Sequence, residues 1–375
     1  MVRTTENIPI RTVTVETTPG QPRGGPVDGR GEGRPAATSL DRILAQIESL
    51  PSLPPVLLRV ADMIQNPATS SAQLAGVILE DQALTARLLR LVNSPFYGFP
   101  RQIATVTETL TMLGFRPVQN LLITASVVDL LGTEDIPEFS QVGLWQHAVG
   151  TAVAARLLAR SAGHEGQEAM FVAGLLHDVG KQVQLQCARG EFVEALTLAR
   201  TQDLPLHVAE ERVWGFDHCR VGRALLESWK LPARLCEAVA CHHRPGAAEQ
   251  AQWESAIIHI ADILSHTLGL GASGEEAVPS PEEAAWEWVG APLSTLEPLL
   301  IEIEEQHRDL LGVLLSTLRA FPGLEDPLRE ASWTDRGLRS DSRKPESPSA
   351  QAAKCAPGMS IADRARQYRQ PKTGS

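Results

Sequence analysis

Apolar side chains recur at every third or fourth position along most of the chain between residues 40 and 318. The first such stripe contains Leu40, Ile43 and Leu44, and Ser39 is suited to cap the helix that this stripe predicts. Stretches in which apolar and polar residues alternate, as they do in a half-buried strand, are too short to be convincing. We therefore predict an all-α fold.

Proline, asparagine and glycine divide this pattern into separate helices, because they interrupt or end helical segments. Pro51, Pro54 and Pro55 break the first stripe, and Asn93 and Pro95 follow a later one. An N-terminal group of helices is predicted over residues 57–64, 74–79, 84–92, 106–113 and 118–131. A second group begins near residue 140, with helices predicted over residues 145–155, 169–178, 219–229, 233–242, 253–266 and 296–318.

Two segments without helical periodicity flank these groups. Ten of the seventeen residues from Pro19 to Pro35 are Gly or Pro, and such a composition buries too little surface to offset the entropy of ordering. The chain from Ala331 onward is rich in Ser, Arg and Pro. We predict disordered tails over 1–38 and 331–375, an N-terminal helical subdomain over 39–135, a second helical subdomain over 136–268, and an acidic loop with C-terminal helices over 269–330.

Charge is distributed unevenly. The whole chain carries a net charge of -11, but the two predicted tails carry +1 and +5, so residues 39–330 carry -17. A surface this acidic repels nucleic acid and anionic membranes, so we expect neither as a partner, and a phosphate ligand would need a local cationic site. No Lys or Arg occurs from Pro245 to His307. This segment indicates a solvated acidic face or a docking surface.

Several classes of protein are excluded by composition. No stretch reaches the ~18 apolar residues that a membrane span requires, and residues 1–10 contain no apolar core of a secretory signal. The five cysteines form no Cys-x-x-Cys pair, which argues against a disulfide framework and against a zinc ribbon. We therefore expect a reduced, cytoplasmic protein.

Histidine is the unusual residue type, since nine of the ten histidines fall between residues 147 and 266. The sharpest local string is Gly174-Leu175-Leu176-His177-Asp178-Val179-Gly180-Lys181. Adjacent His and Asp side chains at a helix end can share one cation, which would be Fe, Mn, Zn or Mg. We expect Gly180 to let the chain turn away after this helix, and Lys181 to lie where an ammonium could meet a phosphate. The other reading of His177 and Asp178 is a structural hydrogen-bonded pair.

Further candidate ligands occur on other predicted helices. Asp262 is flanked by apolar residues, and a carboxylate in such a setting is usually paired or bound to a metal. His218 follows Asp217 at a helix start, where either residue could act as the cap. Of the adjacent pair His242 and His243, one could bind metal while the other faces solvent. The set predicted to converge on one cavity is His147, His177, Asp178, His218, His242, His243 and Asp262; the remaining histidines are treated as ordinary surface or core residues.

The order His, His-Asp, His, His-His, Asp resembles that of the HD superfamily of metal-dependent phosphohydrolases, especially its HD-GYP branch. The wider context is still more similar to the HDOD domain, the HD-related output domain of bacterial signalling proteins. Residues 40–265 carry this resemblance through the strings Leu50-Pro51-Ser52-Leu53-Pro54, Leu91-Val92-Asn93-Ser94-Pro95, the string around His177, Gly215-Phe216-Asp217-His218-Cys219-Arg220-Val221-Gly222, Trp229-Lys230-Leu231-Pro232 and His242-His243-Arg244-Pro245.

The resemblance implies an HD-like multi-helix domain preceded by an N-terminal helical subdomain, and two alternative functions. HDOD domains are regulatory modules that often lack metal ligands or activity, which favours a signal-transduction protein that binds signalling proteins in trans without strong catalysis. The alternative is a metal-dependent phosphohydrolase with one or two divalent ions, in which Lys181 contacts the phosphate of a nucleotide or other phosphodiester. Two departures bear on this alternative: the Gly-Tyr-Pro string is absent after His243, and Gly143 stands where some HD-GYP proteins have an acidic ligand.

Overall fold

Helices make up nearly all of the regular structure in the computed structural model, which describes residues 53–130 and 135–318 together with Ile43 and Ala45. The N-terminal group comprises α1 (Pro55–Gln65), α2 (Ser71–Ile78), α3 (Gln82–Val92), α4 (Val106–Leu113) and α5 (Phe115–Leu130). In the described residues, β-structure is limited to one isolated antiparallel bridge between Ile136 and Phe139. The predicted all-α fold is confirmed. Both predicted tails, and the predicted cap Ser39, lie outside the described residues.

The second group of helices contains all seven predicted ligands. Its members are α6 (Gln141–Ser161), α7 (Gln167–Leu176), α8 (Val179–Cys187), α9 (Arg189–Gln202), α10 (Leu206–Trp214), α11 (His218–Ser228), α12 (Ala233–Ala240) and α13 (Gln252–Leu268). After α13 come α14 (Ala285–Val289) and α15 (Leu296–Leu318), with 3₁₀ turns at Pro245–Ala247 and Leu293–Thr295. The predicted final helix over 296–318 is therefore found, and its last residue, Leu318, is also the last that the structure describes.

Polar side chains begin several of these helices, as the sequence indicates. Ser70 and Gln73 form a capping box at the start of α2, and Asp81 caps α3. Ser140 accepts a hydrogen bond from the backbone N–H of Gly143 at 3.0 Å and so begins α6. At α11 the cap is Asp217, whose carboxylate accepts from the N–H of Arg220 at 3.1 Å. His218 is therefore free to direct its side chain inward.

Helix α6 is the central helix of the fold. It is buried along most of its length and packs against α7, α13 and α15. Small residues on α6 and α7 allow this close contact: a Cβ on Gly174 would lie only 2.8 Å from the Cα of Ala152. The hydrophobic core around α6 is continuous from Leu57 in α1 to Leu314 in α15. It holds the helices that carry the candidate ligands in fixed relative positions.

Among the helices of the described residues, none is both long enough and apolar enough to cross a bilayer.

Candidate metal centre

The predicted ligands come from five places in the fold and meet in its interior. His147 lies on α6, and His177 and Asp178 form the two-residue junction between α7 and α8. His218 is the first residue of α11. The remaining three follow α12 or lie on α13, and they are His242, His243 and Asp262. His243 is half-buried and the other six are at most 3% exposed, so the whole set is directed away from solvent.

Asp178 lies at the middle of the cluster. Its Oδ2 is 3.3 Å from Nε2 of His177, and its Oδ1 is 3.2 Å from Nε2 of His218 and 3.9 Å from Nε2 of His242. His243 extends the group, because its Nε2 lies 3.1 Å from Nε2 of His218. His242 is buried in the cluster, and His243 is half-buried with its Nε2 directed at His218.

Asp262 forms a second focus beside the first. Its Oδ1 lies 2.9 Å from Nε2 of His147 and 3.7 Å from Nε2 of His177. His177 thus stands between the two carboxylates. The described residues contain three groups whose ligand atoms lie close enough together to hold a metal ion, two of which share His147: His147, His177 and Asp178; His147, Asp262 and His266; and His218, Cys219, His242 and His243.

The outer nitrogens of three histidines are fixed by hydrogen bonds that face away from the cluster. Nδ1 of His177 donates to the carbonyl of Gly174 at 2.7 Å, and Nδ1 of His242 donates to the carbonyl of Val239 at 2.7 Å. Nδ1 of His218 lies 2.7 Å from a carboxylate oxygen of Glu210. When Nδ1 carries the proton of a neutral imidazole, Nε2 has a lone pair. The three Nε2 atoms are therefore oriented as metal ligands are.

Several polar atoms in the cluster lack the partners that buried groups normally have. Within the described residues, Nε2 of His177, Nε2 of His242 and Oδ1 of Asp178 make no hydrogen bond, although all are buried. Most buried polar atoms in folded proteins are hydrogen-bonded, because an unpaired one costs about 1–3 kcal/mol. A divalent cation would satisfy all three atoms at once. The donor set of imidazole and carboxylate therefore fits Fe, Mn or Zn better than Mg, which prefers oxygen.

The electrostatics of the cluster favour charged carboxylates and two uncharged imidazoles. Burial disfavours the carboxylate of Asp262, but the hydrogen bond from His147 and nearby histidine charge outweigh it and hold the pKa of that carboxyl well below its usual range. Burial lowers the pKa values of His242 and His243, and neighbouring histidines lower them further. These two imidazoles therefore remain neutral near pH 7, which is the state that binds metal.

Lys181 is the one lysine or arginine that is fully buried among the described residues, with a side chain that is 1% exposed. Its Nζ donates to Oδ2 of Asp178 at 2.8 Å and to the carbonyl of Ser273 at 3.2 Å. Burial opposes the charged form, but Asp178 and other carboxylates outweigh it and raise the pKa of the ammonium. The lysine is therefore charged and already paired.

A segment after α13, residues 269–276, lies across the cluster, and we call it the strap. The N–H of Ala272 donates to the carbonyl of Gly143 at 2.9 Å, and the carboxylate of Glu275 accepts from the N–H of Leu206 at 3.1 Å. A Cβ on Gly143 would lie 3.1 Å from the Cβ of Ala272. The position at which an acidic ligand was expected in some relatives is thus packed against the strap in this chain.

Sequence reasoning missed three residues that contact the predicted ligands, and it misjudged a fourth. Glu210, Ser273 and His266 meet the cluster from segments whose local sequence carries no ligand pattern. Helical spacing could have indicated His266, since it follows Asp262 by four residues and so shares its face. Gly180 does not turn the chain away; it lies inside α8, where a Cβ would lie 1.9 Å from the carbonyl oxygen of His218.

Comparison with known proteins agrees with this picture. The family model of the HDOD domain matches residues 50–245. A protein of Treponema pallidum, strain Nichols, whose function is not characterised, is 30% identical over 287 residues; the match covers 76% of this chain and 52% of that protein, so this chain spans about half the length of that curated relative.

Solved structures with the same fold also match. An HDOD domain protein from Geobacter sulfurreducens, of unknown function, is 29% identical with a TM-score of 0.59, covering 75% of this chain and 98% of that one. A Shewanella amazonensis protein provisionally named a phosphohydrolase is 20% identical with a TM-score of 0.51, covering 74% and 93% of the two chains, and it shows a shared fold alone. With a family match over more than half of its length, the chain belongs to the HDOD domain family.

Proposed function

We propose that this chain is a bacterial signal-transduction protein that acts by binding other signalling proteins, and that its histidine cluster holds a metal ion without strong catalysis. The observation that carries this proposal is the state of Lys181. Its ammonium is buried and engaged by Asp178 and by the Ser273 carbonyl, so it is not presented to a substrate phosphate.

The surroundings of Asp178 support the same conclusion. A cavity lined by Asp178, Gln141, Trp145 and neighbouring residues has a volume of about 10 Å³. That is at the lower limit for one water molecule, whereas drug-sized ligands occupy about 300–1,000 Å³. A phosphodiester could reach Asp178 through this cavity only after the chain around it moved.

The residues that would hold a metal are His147, His177, Asp178, His218, His242, His243 and Asp262. One or two divalent ions of Fe, Mn or Zn suit this donor set, and a bound ion would supply positive charge and Lewis acidity at the cluster. The chain's own contribution is orientation, because the backbone carbonyls behind His177 and His242 fix their imidazoles. In the signalling role, metal binding stabilises the arrangement of α6, α8, α11 and α13.

The partner surface that we propose is the acidic face formed by residues 245–307. Leu293 and Ile301 are large apolar side chains left 68% and 45% exposed on this face, and Glu297 and Glu305 are exposed beside them on α15. Exposed apolar residues next to like charges are suited to bind a partner of opposite charge. A signalling protein with a basic, partly apolar surface would fit.

The second candidate function is a metal-dependent phosphohydrolase, with a nucleotide or other phosphodiester as substrate. The convergence of unpartnered ligand atoms on one point favours it. In this function Lys181 would exchange the Ser273 carbonyl for a substrate phosphate, which requires the strap to move. The name of the Shewanella amazonensis protein is in line with this alternative.

Both functions are tested with protein purified without chelator and reconstituted with Fe²⁺, Mn²⁺ or Zn²⁺. We expect the wild type to bind metal and Asp178→Ala to bind less or none. We also expect the wild type to hydrolyse cyclic dinucleotides and bis(p-nitrophenyl) phosphate no faster than Asp178→Ala does. Hydrolysis that Asp178→Ala abolishes would refute the non-catalytic proposal and support the phosphohydrolase. A wild-type chain that binds no metal would remove the metal centre from both.

The partner proposal needs its own measurement. Proteins cross-linked to the full-length chain in cells should be lost in the double variant Glu297→Lys/Glu305→Lys. The matched control is Glu191→Lys/Glu194→Lys, which reverses two exposed charges on α9 instead of α15. An unchanged set of cross-linked proteins in the α15 variant would contradict the proposed surface.

A further inference from the structure

His266 lies at the outer end of the cluster, on α13 and one turn after Asp262. Its Nε2 is 3.4 Å from Oδ1 of Asp262, and its ring centroid is 4.5 Å from that of His147. Its side chain is 12% exposed, so the ring reaches inward from the edge of the fold. This histidine therefore belongs spatially to the ligand set, although the family strings do not include it.

Three imidazole nitrogens are directed at the same carboxylate oxygen. Nε2 of His147, His266 and His177 lie 2.9, 3.4 and 3.7 Å from Oδ1 of Asp262. For metal–ligand bonds of about 2.0–2.2 Å, neighbouring donor atoms are separated by roughly 3 Å in octahedral and 3.4 Å in tetrahedral sites. The distances from Asp262 to His147 and His266 match these separations, whereas the distance to His177 is longer.

The donor set itself is chemically distinctive. His147, Asp262 and His266 supply two imidazoles and one carboxylate, and their ligand atoms all lie within 4.8 Å of one another. Two histidines and one carboxylate form a common site for Fe²⁺, and imidazole also suits Zn²⁺. Hydroxyl groups of Thr151 and Ser273 lie 3.5 and 3.1 Å from the Nε2 atoms of His147 and His266. The space between these side chains is therefore polar on several sides.

We propose that His147, Asp262 and His266 form a metal position of their own, which takes Fe²⁺, Mn²⁺ or Zn²⁺ and lies beside the position centred on Asp178. This inference rests on the proposed function, because the two positions share one cluster. It adds His266 on α13 to the predicted ligands. The competing explanation is that His266 only hydrogen-bonds to Ser273 and fastens the strap.

The experiment counts metal ions per chain by mass spectrometry after dialysis against metal-free buffer. His266→Ala and His266→Gln should each carry one ion fewer than the wild type, whereas Asp178→Asn should keep the ion at the outer position. Ser273→Ala removes the hydroxyl but no ligand and should match the wild type. His164→Ala is the control for loss of a histidine elsewhere, because His164 stacks on Trp253 and hydrogen-bonds to Gly166.

Unchanged ion counts in both His266 variants would overturn the proposal and leave the Asp178 position intact. Absence of metal from the reconstituted wild type would overturn both the proposal and the metal centre. A second measurement needs no variant: carbethoxylation of histidines, followed by peptide mass spectrometry, with and without Zn²⁺. Protection of His266 by Zn²⁺ is expected, and equal modification in both samples would overturn the proposal.

Discussion

Replacing Gly180 by alanine tests how the candidate metal centre is built, because at this residue the backbones of α8 and α11 lie too close together for a side chain. A Cβ there would lie 1.9 Å from the carbonyl oxygen of His218, 2.8 Å from its carbonyl carbon and 2.9 Å from the backbone N of Gly222. All three are backbone atoms that no side-chain rotation can move. The helices would have to separate by about 1 Å to restore a contact of 3.0 Å.

Such a separation has two consequences of known size. Overpacking in a core costs about 1–3 kcal/mol, and we expect the upper end because the clash involves fixed backbone. Asp178 moves with α8 and His218 with α11, so the 3.2 Å between Oδ1 and Nε2 lengthens by a similar amount. Metal–ligand distances tolerate changes of about 0.2 Å. Gly180→Ala should therefore lose both stability and metal.

Stability is measured by urea unfolding of chelator-treated protein, monitored by far-ultraviolet circular dichroism. Metal content is measured separately, on protein purified without chelator. A loss of about 3 kcal/mol lowers the urea midpoint by roughly 1 M or more. Gly76→Ala on α2 is the matched control, since its Cβ would meet nothing within 4 Å and alanine favours a helix by about 1 kcal/mol. A Gly180→Ala protein with the wild-type midpoint and metal content would refute the reasoning.

Two further predictions concern buried side chains around the cluster. Glu210→Gln weakens the hydrogen bond to Nδ1 of His218, so metal affinity measured by chelator competition should fall about 10–100-fold. The control is Glu211→Gln, at an exposed position, and equal metal affinities of Glu210→Gln and the wild type would contradict this role of Glu210. Burial lowers the pKa of His307 in the folded chain. As the pH decreases through about 6.5, the imidazole of His307 is therefore protonated in the unfolded chain before the folded one, and the free energy of unfolding falls. His307→Gln should therefore lose less stability than the wild type between pH 7 and pH 5 in urea unfolding, and an equal loss would argue against the buried neutral imidazole.

Sequence periodicity predicted the helices well where the residues that end a helix directly follow its apolar stripe. Asn93 follows the last residue of α3, and the apolar stripe over 296–318 coincides with α15. The junction between α7 and α8 was harder to predict. The helix was expected to continue to Asp178, yet α7 ends at Leu176 and α8 begins at Val179. After the junction, Gly180 brings α8 against the backbone of α11, a long-range contact that sequence spacing does not reveal.

The candidate site shows the same division between local and long-range information. Five of the seven predicted ligands belong to short strings that could be recognised in the sequence, and Asp262 was indicated by its apolar neighbours, whereas His147 belongs to no such string. Glu210 could not be recognised, because only the fold brings α10 against His218. Gly180 was assigned a turn since glycine often ends helices, but its actual role is a close approach between two helices, and contacts of that kind depend on residues far apart in the chain.

Access to the cluster depends on the strap more than on the ligands. Gly143 and Gly271 leave room for it: a Cβ on Gly271 would lie 2.3 Å from the carbonyl oxygen of Gly143, so position 271 excludes a side chain, and a Cβ on Gly143 would lie 3.1 Å from the Cβ of Ala272. The strap then places the Ser273 carbonyl 3.2 Å from Nζ of Lys181, and this is the contact that the phosphohydrolase alternative would have to exchange for a phosphate. This segment lies beyond residues 50–245, which the family model matches. We therefore expect this ligand set to bind metal, and we expect catalysis only if the segment after α13 moves and leaves Lys181 free.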